Sequence, residues 1–154
     1  MTGKWHLSEQ PTDFGFQKYW GHLSGATNFF TGDNSFRLNG KEWHVPKMLN
    51  GKPFYTTHAI TDYALQFLSE EDIDSHSNPF FLYIAYNAPH YPLHAPRKDV
   101  EKYNGAYDVG WDVIRKLRYQ KQLKSGLIPE KFKLSPRAPH IPAWSDIKET
   151  EKHW

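Results

Sequence analysis

The clearest hydrophobic pattern lies in the middle of the chain. Apolar residues recur there at helical spacing, and they predict a helix over Thr56–Ser69 with a threonine able to cap its start. After a polar connection, an unbroken apolar run of seven residues covers Phe80–Tyr86. Such a run, rich in aromatic side chains, is typical of a strand covered on both faces, as in a parallel sheet. The pattern therefore predicts an α/β unit in which the helix is the crossover.

A second amphipathic pattern starts at Tyr107 and runs to about Lys124, with Gly126 as the predicted stop. The opposite face of this helix is basic and carries Arg115, Lys116, Arg118, Lys121 and Lys124. The ordinary interpretation of such a face is solvation, and contact with an anion or a partner is the alternative. The sequence alone leaves both open.

The rest of the chain lacks a regular period. Glycine and proline punctuate residues 1–53, which predicts loops with short elements. Asp33-Asn34 and Asn39-Gly40 are typical of turns, and Ser35–Leu38 fits one arm of a hairpin. The proline-rich tail from Pro129 onward is expected to be extended. Long irregular segments of this kind are typical of active-site loops resting on a scaffold.

The predicted strand count is small for an α/β domain. A strand covered on both faces needs several parallel neighbours, yet the pattern predicts only one convincing central strand in 154 residues. We therefore expect the chain to be a slice of a larger α/β domain.

Composition excludes several classes of protein. A formal charge of +2 is too small to indicate nucleic acid or an anionic membrane as a partner. The apolar run at Phe80–Tyr86 is far shorter than the roughly 20 residues of a membrane helix. The absence of cysteine excludes disulfides and a thiolate zinc site. The start of the chain shows no charged stretch followed by an apolar stretch, the pattern typical of a signal peptide. The sequence leaves the cellular compartment of the protein open.

The loop after the apolar run is the first candidate for chemistry. Ligands of open α/β sheets bind at the carboxyl ends of the strands, where Ala88–His94 is placed. Prolines restrict the backbone around His90, and a histidine so held can donate to an anionic oxygen or protonate a leaving group. The alternative is an ordinary surface histidine. A zinc site of His90 and His94 is not expected, because that spacing binds a metal readily only on a helix and two prolines disfavour one.

Lys4 and His6 form the second candidate. If the segment is extended, their side chains point to one side and Trp5 points to the other. A fixed cation beside an imidazole suits an anionic group, because lysine supplies charge and histidine a transferable proton. The alternative is a frayed terminus.

Gly3-Lys4-Trp5-His6-Leu7 resembles the glycine-lysine-tryptophan-histidine-leucine-glycine signature of the sulfatase family. Further segments that resemble bacterial arylsulfatases follow in the same order: Gly15-Phe16, Tyr19-Trp20-Gly21-His22, Gly25-Ala26, the strand and histidine loop over Pro79–Pro96, and Tyr107–Asp112 with Arg118-Tyr119. The resemblance spans nearly the whole chain.

The resemblance implies an alkaline-phosphatase-like α/β fold and the hydrolysis of sulfate esters, with a small sulfate ester or a sulfated sugar as substrate. The family's nucleophile is a formylglycine made from Cys or Ser in a C/S-x-P-x-R motif, beside a divalent cation that is usually calcium. Carried over by motif, Lys4 holds the sulfate and the formylglycine oxygen. His6 contacts the formylglycine hydroxyl and helps to expel sulfate, and His90 binds the sulfate ester near the leaving oxygen.

The departures from the family pattern are equally specific. Ser8 stands where the signature has glycine, and neither a cysteine nor a serine begins an S-x-P-x-R motif. The family's paired aspartates are absent, and Asp33-Asn34 lies upstream of the histidine loop, whereas the family's metal-binding Asp-Asn lies downstream. We therefore expect residues 1–154 to be a fragment of a sulfatase catalytic domain. Such a fragment contains only part of the alkaline-phosphatase-like α/β fold. We expect it to have no cofactor and no metal ligands of its own.

Such a fragment is expected to be inactive alone, because a missing nucleophile and metal remove the dominant catalytic terms. Two other functions fit the same residues. One is a non-catalytic module that binds sulfated glycans, and the other is phosphoesterase chemistry, since sulfate and phosphate monoesters share a shape.

Overall fold

The computed structural model describes residues 1–70 and 79–152. The chain divides into two compact units, Met1–Ala95 and Pro96–Trp154. The first holds a mixed sheet and the long helix that packs on it, whereas the second is helical and irregular. No helix within the described ranges is both long enough and apolar enough to cross a membrane.

The central sheet of the first unit is built from five short strands: β1 Thr2–Gly3, β2 Trp20–His22, β3 Phe36–Leu38, β4 Lys41–Glu42 and β7 Ile84–Ala85. Two further strands, β5 Met48–Leu49 and β6 Lys52–Pro53, form a separate hairpin. The strand order in the central sheet is β4-β3-β2-β1-β7. β1 pairs parallel with both β2 and β7, and β2, β3 and β4 pair antiparallel. A 3-10 turn at Pro11–Phe14 precedes β2.

The predicted central helix is confirmed as α1, Thr56–Glu70. Its apolar stripe, with Ile60 and Phe67, packs on a cluster built around the buried Trp20. The predicted threonine cap is wrong. The Thr56 hydroxyl donates to the carbonyl oxygen of Phe29 at 2.9 Å, and the Thr57 hydroxyl has no partner within the described residues. Thr56 therefore ties the helix to a preceding loop instead of closing its first turn.

The apolar run at Phe80–Tyr86 departs from its prediction. Only Ile84–Ala85 is a strand, and it lies at the sheet edge beside β1. Phe80 and Phe81 are 60% and 80% exposed, and the consecutive residues Tyr83 and Ile84 are 45% and 39% exposed, so the prediction of a strand covered on both faces is wrong. The physical reason is that the core cluster around Trp20 forms elsewhere in the unit and includes none of these side chains. The parallel pairing of this strand, which the α/β prediction requires, is confirmed.

The expectation of a single central strand is also wrong. β1, two residues long, lies between β2 and β7, and its Thr2 is fully buried. A strand so short leaves no periodic pattern to detect. The predicted hairpin is confirmed: β3 and β4 join through Asn39 and Gly40, whose φ angles of 49° and 84° are those of a type I′ turn.

The second unit contains α2 Arg97–Val100 and α3 Gly110–Lys124, with 3-10 turns at Glu101–Tyr103, Trp144–Asp146 and Glu149–Glu151. α3 begins three residues after the predicted Tyr107 and ends as predicted before Gly126, whose φ of 70° suits a glycine stop. Between Pro129 and Ala143 the tail contains turns but no helix or strand.

Candidate functional site

Two candidate segments leave the sheet at the same end, the carboxyl end of its parallel strands. Lys4 and His6 follow β1, and the loop to His90 follows β7. Because β1 and β7 are parallel neighbours, their carboxyl ends lie side by side, where ligands of α/β sheets bind. The backbone N–H of Lys4 donates to the carbonyl oxygen of Ala85 at 2.8 Å, which extends the ladder one residue past β1. Both predicted segments thus begin at the carboxyl end of the β1–β7 pair.

The loop after β2 holds the Lys4–His6 segment in place. The Trp5 N–H donates to the His22 carbonyl at 3.0 Å, and the His6 N–H donates to the Leu23 carbonyl at 3.2 Å. His6 has a φ of 60°, in the left-handed region, so the segment is not extended through His6, and the condition for Lys4 and His6 to lie on one side of a strand is not met. The imidazole of His6 lies against Gly25, because a Cβ atom built there would be 2.4 Å from Nε2.

Trp5 contacts a different set of residues. Its ring packs on Phe14 and Phe16, with centroid distances of 5.4 and 6.4 Å, and its Nε1–H donates to the Glu9 carbonyl at 2.6 Å. The Trp5 ring and the His6 imidazole therefore have different contacts, since Trp5 packs on Phe14 and Phe16 and His6 lies against Gly25.

His22 is a site residue that the sequence argument missed. Its side chain is fully buried, and its Nδ1 lies 3.0 Å from the carbonyl oxygen of Ser24, so Nδ1–H donates and Nε2 carries the lone pair. That Nε2 atom is buried and has no partner among the described residues. Burial lowers the pKa of His22 to about 4; Asp33 opposes the shift, and the positive charges of Lys4 and His6 add to it. His22 is therefore neutral at neutral pH.

A hydroxyl network connects His22 to Asp33. The Ser24 hydroxyl donates to Asp33 Oδ2 at 2.9 Å and lies 3.2 Å from His22 Nδ1, and the Ser35 hydroxyl lies 2.9 Å from that of Ser24. Burial alone would raise the pKa of Asp33, but hydrogen bonds from Ser35 and Ser24 outweigh it and hold that pKa below its usual value. The predicted turn is confirmed, since Asp33 Oδ1 accepts from the Ser35 N–H at 2.7 Å. The Asp33 carboxylate is thus linked to His22 through the Ser24 hydroxyl.

His90, in the loop after β7, has one ring nitrogen that makes no hydrogen bond with the described residues. Its N–H donates to the Asn87 carbonyl at 2.8 Å, and its ring Nδ1 lies 2.6 Å from the Tyr91 carbonyl. Nδ1 is therefore the donor, which leaves Nε2 of this exposed side chain without a hydrogen bond in the described chain. Asn87 is buried, and neither polar atom of its amide has a partner there. No hydrogen bond within the described residues joins His90 to Lys4 or His6.

The sulfatase family model matches residues 1–144. The chain belongs to the sulfatase family. It is 32% identical over its whole length to an uncharacterised sulfatase of Schizosaccharomyces pombe and 28% identical to an arylsulfatase of Klebsiella aerogenes, and it covers 30% and 32% of those proteins. Arylsulfatase J of Mus musculus is 31% identical over 71% of this chain and 19% of its own length. The chain thus spans about a third or less of these relatives.

A solved structure agrees with this membership. The crystal structure of Ps i-CgsB matches with a TM-score of 0.53 and 30% identity, over 66% of this chain and 26% of that one. The predicted alkaline-phosphatase-like α/β fold and the family resemblance are both confirmed.

In this sulfatase-family chain, His94 has a packing environment of its own. Its ring lies 5.8 Å from that of Phe29 and 5.5 Å from that of Phe30, and the Phe29 N–H points at its Nδ1 at 3.4 Å. Residues 88–96 form no helix. The geometry that a His-x-x-x-His metal pair needs is not formed at His90 and His94.

The family's cofactors do not fit the described residues. Across residues 1–70 and 79–152, no three His, Asp or Glu side chains are grouped so that they could hold a metal ion. The sequence contains no Cys and no Ser in an S-x-P-x-R motif from which formylglycine could be made. We therefore derive no chemical step through calcium or formylglycine for this chain.

Proposed function

We propose that this chain supplies one wall of the substrate site of an arylsulfatase-type sulfuric ester hydrolase, with Lys4, His6 and His90 facing the sulfate ester. The observation that carries the proposal is the parallel pairing of β1 and β7, because the segments that contain Lys4, His6 and His90 leave the sheet at the adjacent carboxyl ends of these two strands. Family membership over residues 1–144 supports the sulfate ester as the substrate class.

Each residue has a distinct role in the proposal. Lys4 supplies a fixed positive charge for the sulfate oxygens. His90, with its Nδ1–H held by the Tyr91 carbonyl, presents Nε2 to the bridging oxygen, where a protonated imidazole can give its proton to the leaving alcohol. His6 adds a second imidazole against the sulfate. Negative charge spreads over the sulfuryl oxygens in the transition state, and these groups stabilise it.

We further propose that the chain is one part of a larger sulfatase catalytic domain and does not turn over substrate alone. Three observations support this: the absence of a nucleophile motif, the coverage of about a third of the relatives, and the open sheet edge at Ile84–Ala85. The purified chain is expected to release no 4-nitrocatechol from its sulfate ester. Sustained turnover that co-purifies with the chain and is lost in Lys4→Met would overturn this.

Binding is tested separately from turnover. Titration with 4-nitrophenyl sulfate should shift the imidazole NMR signals of His6 and His90 and leave those of the exposed His44 and His58 in place. Lys4→Met and His90→Gln should each weaken the response, because each removes a group that faces the sulfate. Lys47→Met, which removes an exposed lysine elsewhere in the same unit, is the matched control. Unchanged signals of His6 and His90 would contradict the site.

A second candidate function is binding without catalysis, because the basic groups are present while the nucleophile motif is absent. A non-catalytic module would use Lys4, His6 and His90 to hold a sulfated glycan without cleaving it. Saturable shifts of the His6 and His90 signals with a sulfated disaccharide, and none with the aryl ester, would favour the module. A stronger response to 4-nitrophenyl phosphate than to the sulfate would favour phosphoester chemistry instead.

A further inference from the structure

The second unit contains a cleft that the proposed function does not use. It lies between α3 and the tail, with a volume of about 740 Å³, and all of its lining residues belong to Pro96–Trp154. A volume of this size lies within the range of small-molecule sites, which combine apolar walls with a few polar groups.

Two tryptophans form the apolar wall of the cleft. The rings of Trp111 and Trp144 meet nearly at right angles, with centroids 4.8 Å apart. The Trp111 Nε1–H donates to the Pro142 carbonyl at 3.2 Å, and a Cβ atom built on Gly110 would lie 2.0 Å from the Trp144 ring. Trp144 therefore lies directly on the helix backbone, which fixes the wall before any ligand arrives.

The cleft has a surplus of positive charge. Its lining includes four cationic side chains and two carboxylates. One carboxylate, Asp112, is already paired: it lies 3.1 Å from Arg137 and accepts from the Trp144 N–H at 2.9 Å. Lys152 lies 2.6 Å from Glu149. Arg115 acts electrostatically on Asp112 as well, which leaves Arg118 as the lining cation without a carboxylate partner among the described residues.

These two arginines are on the same face of α3 as the aromatic wall. Trp111, Arg115 and Arg118 are spaced by four and then three residues, so the helix places them in one row. Arg115 donates to the Ser135 hydroxyl at 2.7 Å. After the Trp144 N–H and Arg137, Arg115 also lowers the pKa of Asp112, so that carboxylate offsets part of its charge. Arg118 makes no hydrogen bond or ion pair with any residue that the structure describes. The guanidinium group of Arg118 is thus available to an anion, and Arg115 lies beside it with donors that Ser135 does not use.

We propose that this cleft binds a ring that carries a sulfate group, with the ring against Trp111 and Trp144 and the sulfate on Arg115 and Arg118. The guanidinium fork matches the oxygens of a tetrahedral oxyanion, and the indole faces match a flat or chair-shaped ring. A sulfated sugar and an aryl sulfate share this chemistry. The prediction that the basic residues of α3 lie opposite the apolar ones is therefore wrong for Arg115 and Arg118, which line the cleft beside Trp111, whereas Lys116, Lys121 and Lys124 do not line it.

The test uses the full chain with the first site disabled. Lys4→Met/His90→Gln is titrated by calorimetry with 4-nitrophenyl sulfate, with a sulfated disaccharide, and with the same disaccharide after desulfation. We expect one saturable event with at least one sulfated probe and none with the desulfated sugar. The binding should weaken as NaCl rises, because the contact is electrostatic. The probe that binds more tightly identifies the source of the sulfate.

Two single-charge variants in that background decide the location. Arg118→Gln should weaken binding about five- to tenfold, because it removes a charged hydrogen-bond donor. Lys116→Gln, an equal change of charge on an exposed residue outside the cleft, should leave affinity within about twofold. Equal losses of affinity in both variants, or no measurable heat of binding in the Lys4→Met/His90→Gln protein, would contradict binding in the cleft. The proposed function would be unaffected, since the His6 and His90 signals report on it independently.

Discussion

The imidazole of His6 is packed directly against the backbone of Gly25. A Cβ atom at position 25 would lie 2.4 Å from Nε2 and 2.6 Å from Cε1 of His6, well inside van der Waals contact. The His6 N–H is held in the same loop by the Leu23 carbonyl at 3.2 Å. The orientation of this proposed substrate-binding imidazole therefore depends on the absence of a side chain at position 25.

Gly25→Ala is expected to displace the His6 ring. The added methyl group occupies the space of the imidazole, so His6 must rotate away from the sulfate position. Binding of 4-nitrophenyl sulfate should weaken by roughly fivefold or more, about 1 kcal/mol. Imidazole NMR signals of His6 should move in the free protein, whereas those of His44 should not. Ala26→Ser, at the exposed neighbouring position, is the control. A His6 signal identical to that of the parent protein would contradict the packing.

The burial of His22 predicts a pH-dependent stability of the first unit. Its pKa is about 4 in the folded state against a usual 6.5, so the unfolded state binds more protons between these values. The free energy of unfolding should therefore fall as pH drops from 6.5 to 4, by on the order of 3 kcal/mol. Asp33 acts in a lower window: its pKa is depressed, so its contribution is present above about pH 4 and is lost as pH falls further.

Denaturant titrations at pH 7 and pH 4.5 measure this change, and His22→Asn should flatten it. The asparagine amide can donate to the Ser24 carbonyl as Nδ1–H does, but it does not titrate. An imidazole signal of His22 that titrates near pH 6.5 would show that the residue is not buried as described.

Trp20 is expected to be the most costly truncation in the core. Its fully buried ring stacks on Tyr63 at 4.4 Å and meets Trp43 and Phe36 at 5.2 and 5.5 Å. Trp20→Ala should lower the free energy of unfolding by about 3–5 kcal/mol through lost burial and the cavity left behind. Leu65→Ala, on the exposed side of α1, should cost less than about 1 kcal/mol. If Trp20→Ala and Leu65→Ala lowered the free energy of unfolding in urea by similar amounts, the burial of Trp20 in the core would be contradicted.

The open edge at β7 is expected to make the chain associate with itself. Exposed aromatic side chains beside an unpaired strand edge favour aggregation. Phe80→Lys, at a residue that is 60% exposed, should lower light scattering and raise the monomer fraction in sedimentation. Leu127→Lys replaces a similarly exposed apolar residue in the second unit and should have a smaller effect. A sharply melting monomeric parent protein would count against the prediction.

The segments of the candidate site carry signals in the sequence, but the residues that support them do not. Lys4, His6 and His90 could be selected because their motifs resemble the sulfatase signature and the histidine loop. His22 and Asp33 could not be, because a buried histidine and a turn aspartate carry no local signal for their contact. Their connection through Ser24 exists only once β2 and β3 pair.

The sequence by itself determined α1, α3, the turn at Asn39-Gly40 and the family, because helical periodicity, positive-φ turn residues and motifs are local properties. Only the tertiary structure decided which strands lie in the interior of the sheet. The two residues of β1 are buried because β2 and β7 flank them, whereas the longer apolar run lies open at the edge. Burial in a sheet depends on neighbours from distant parts of the chain, and no window of sequence contains them.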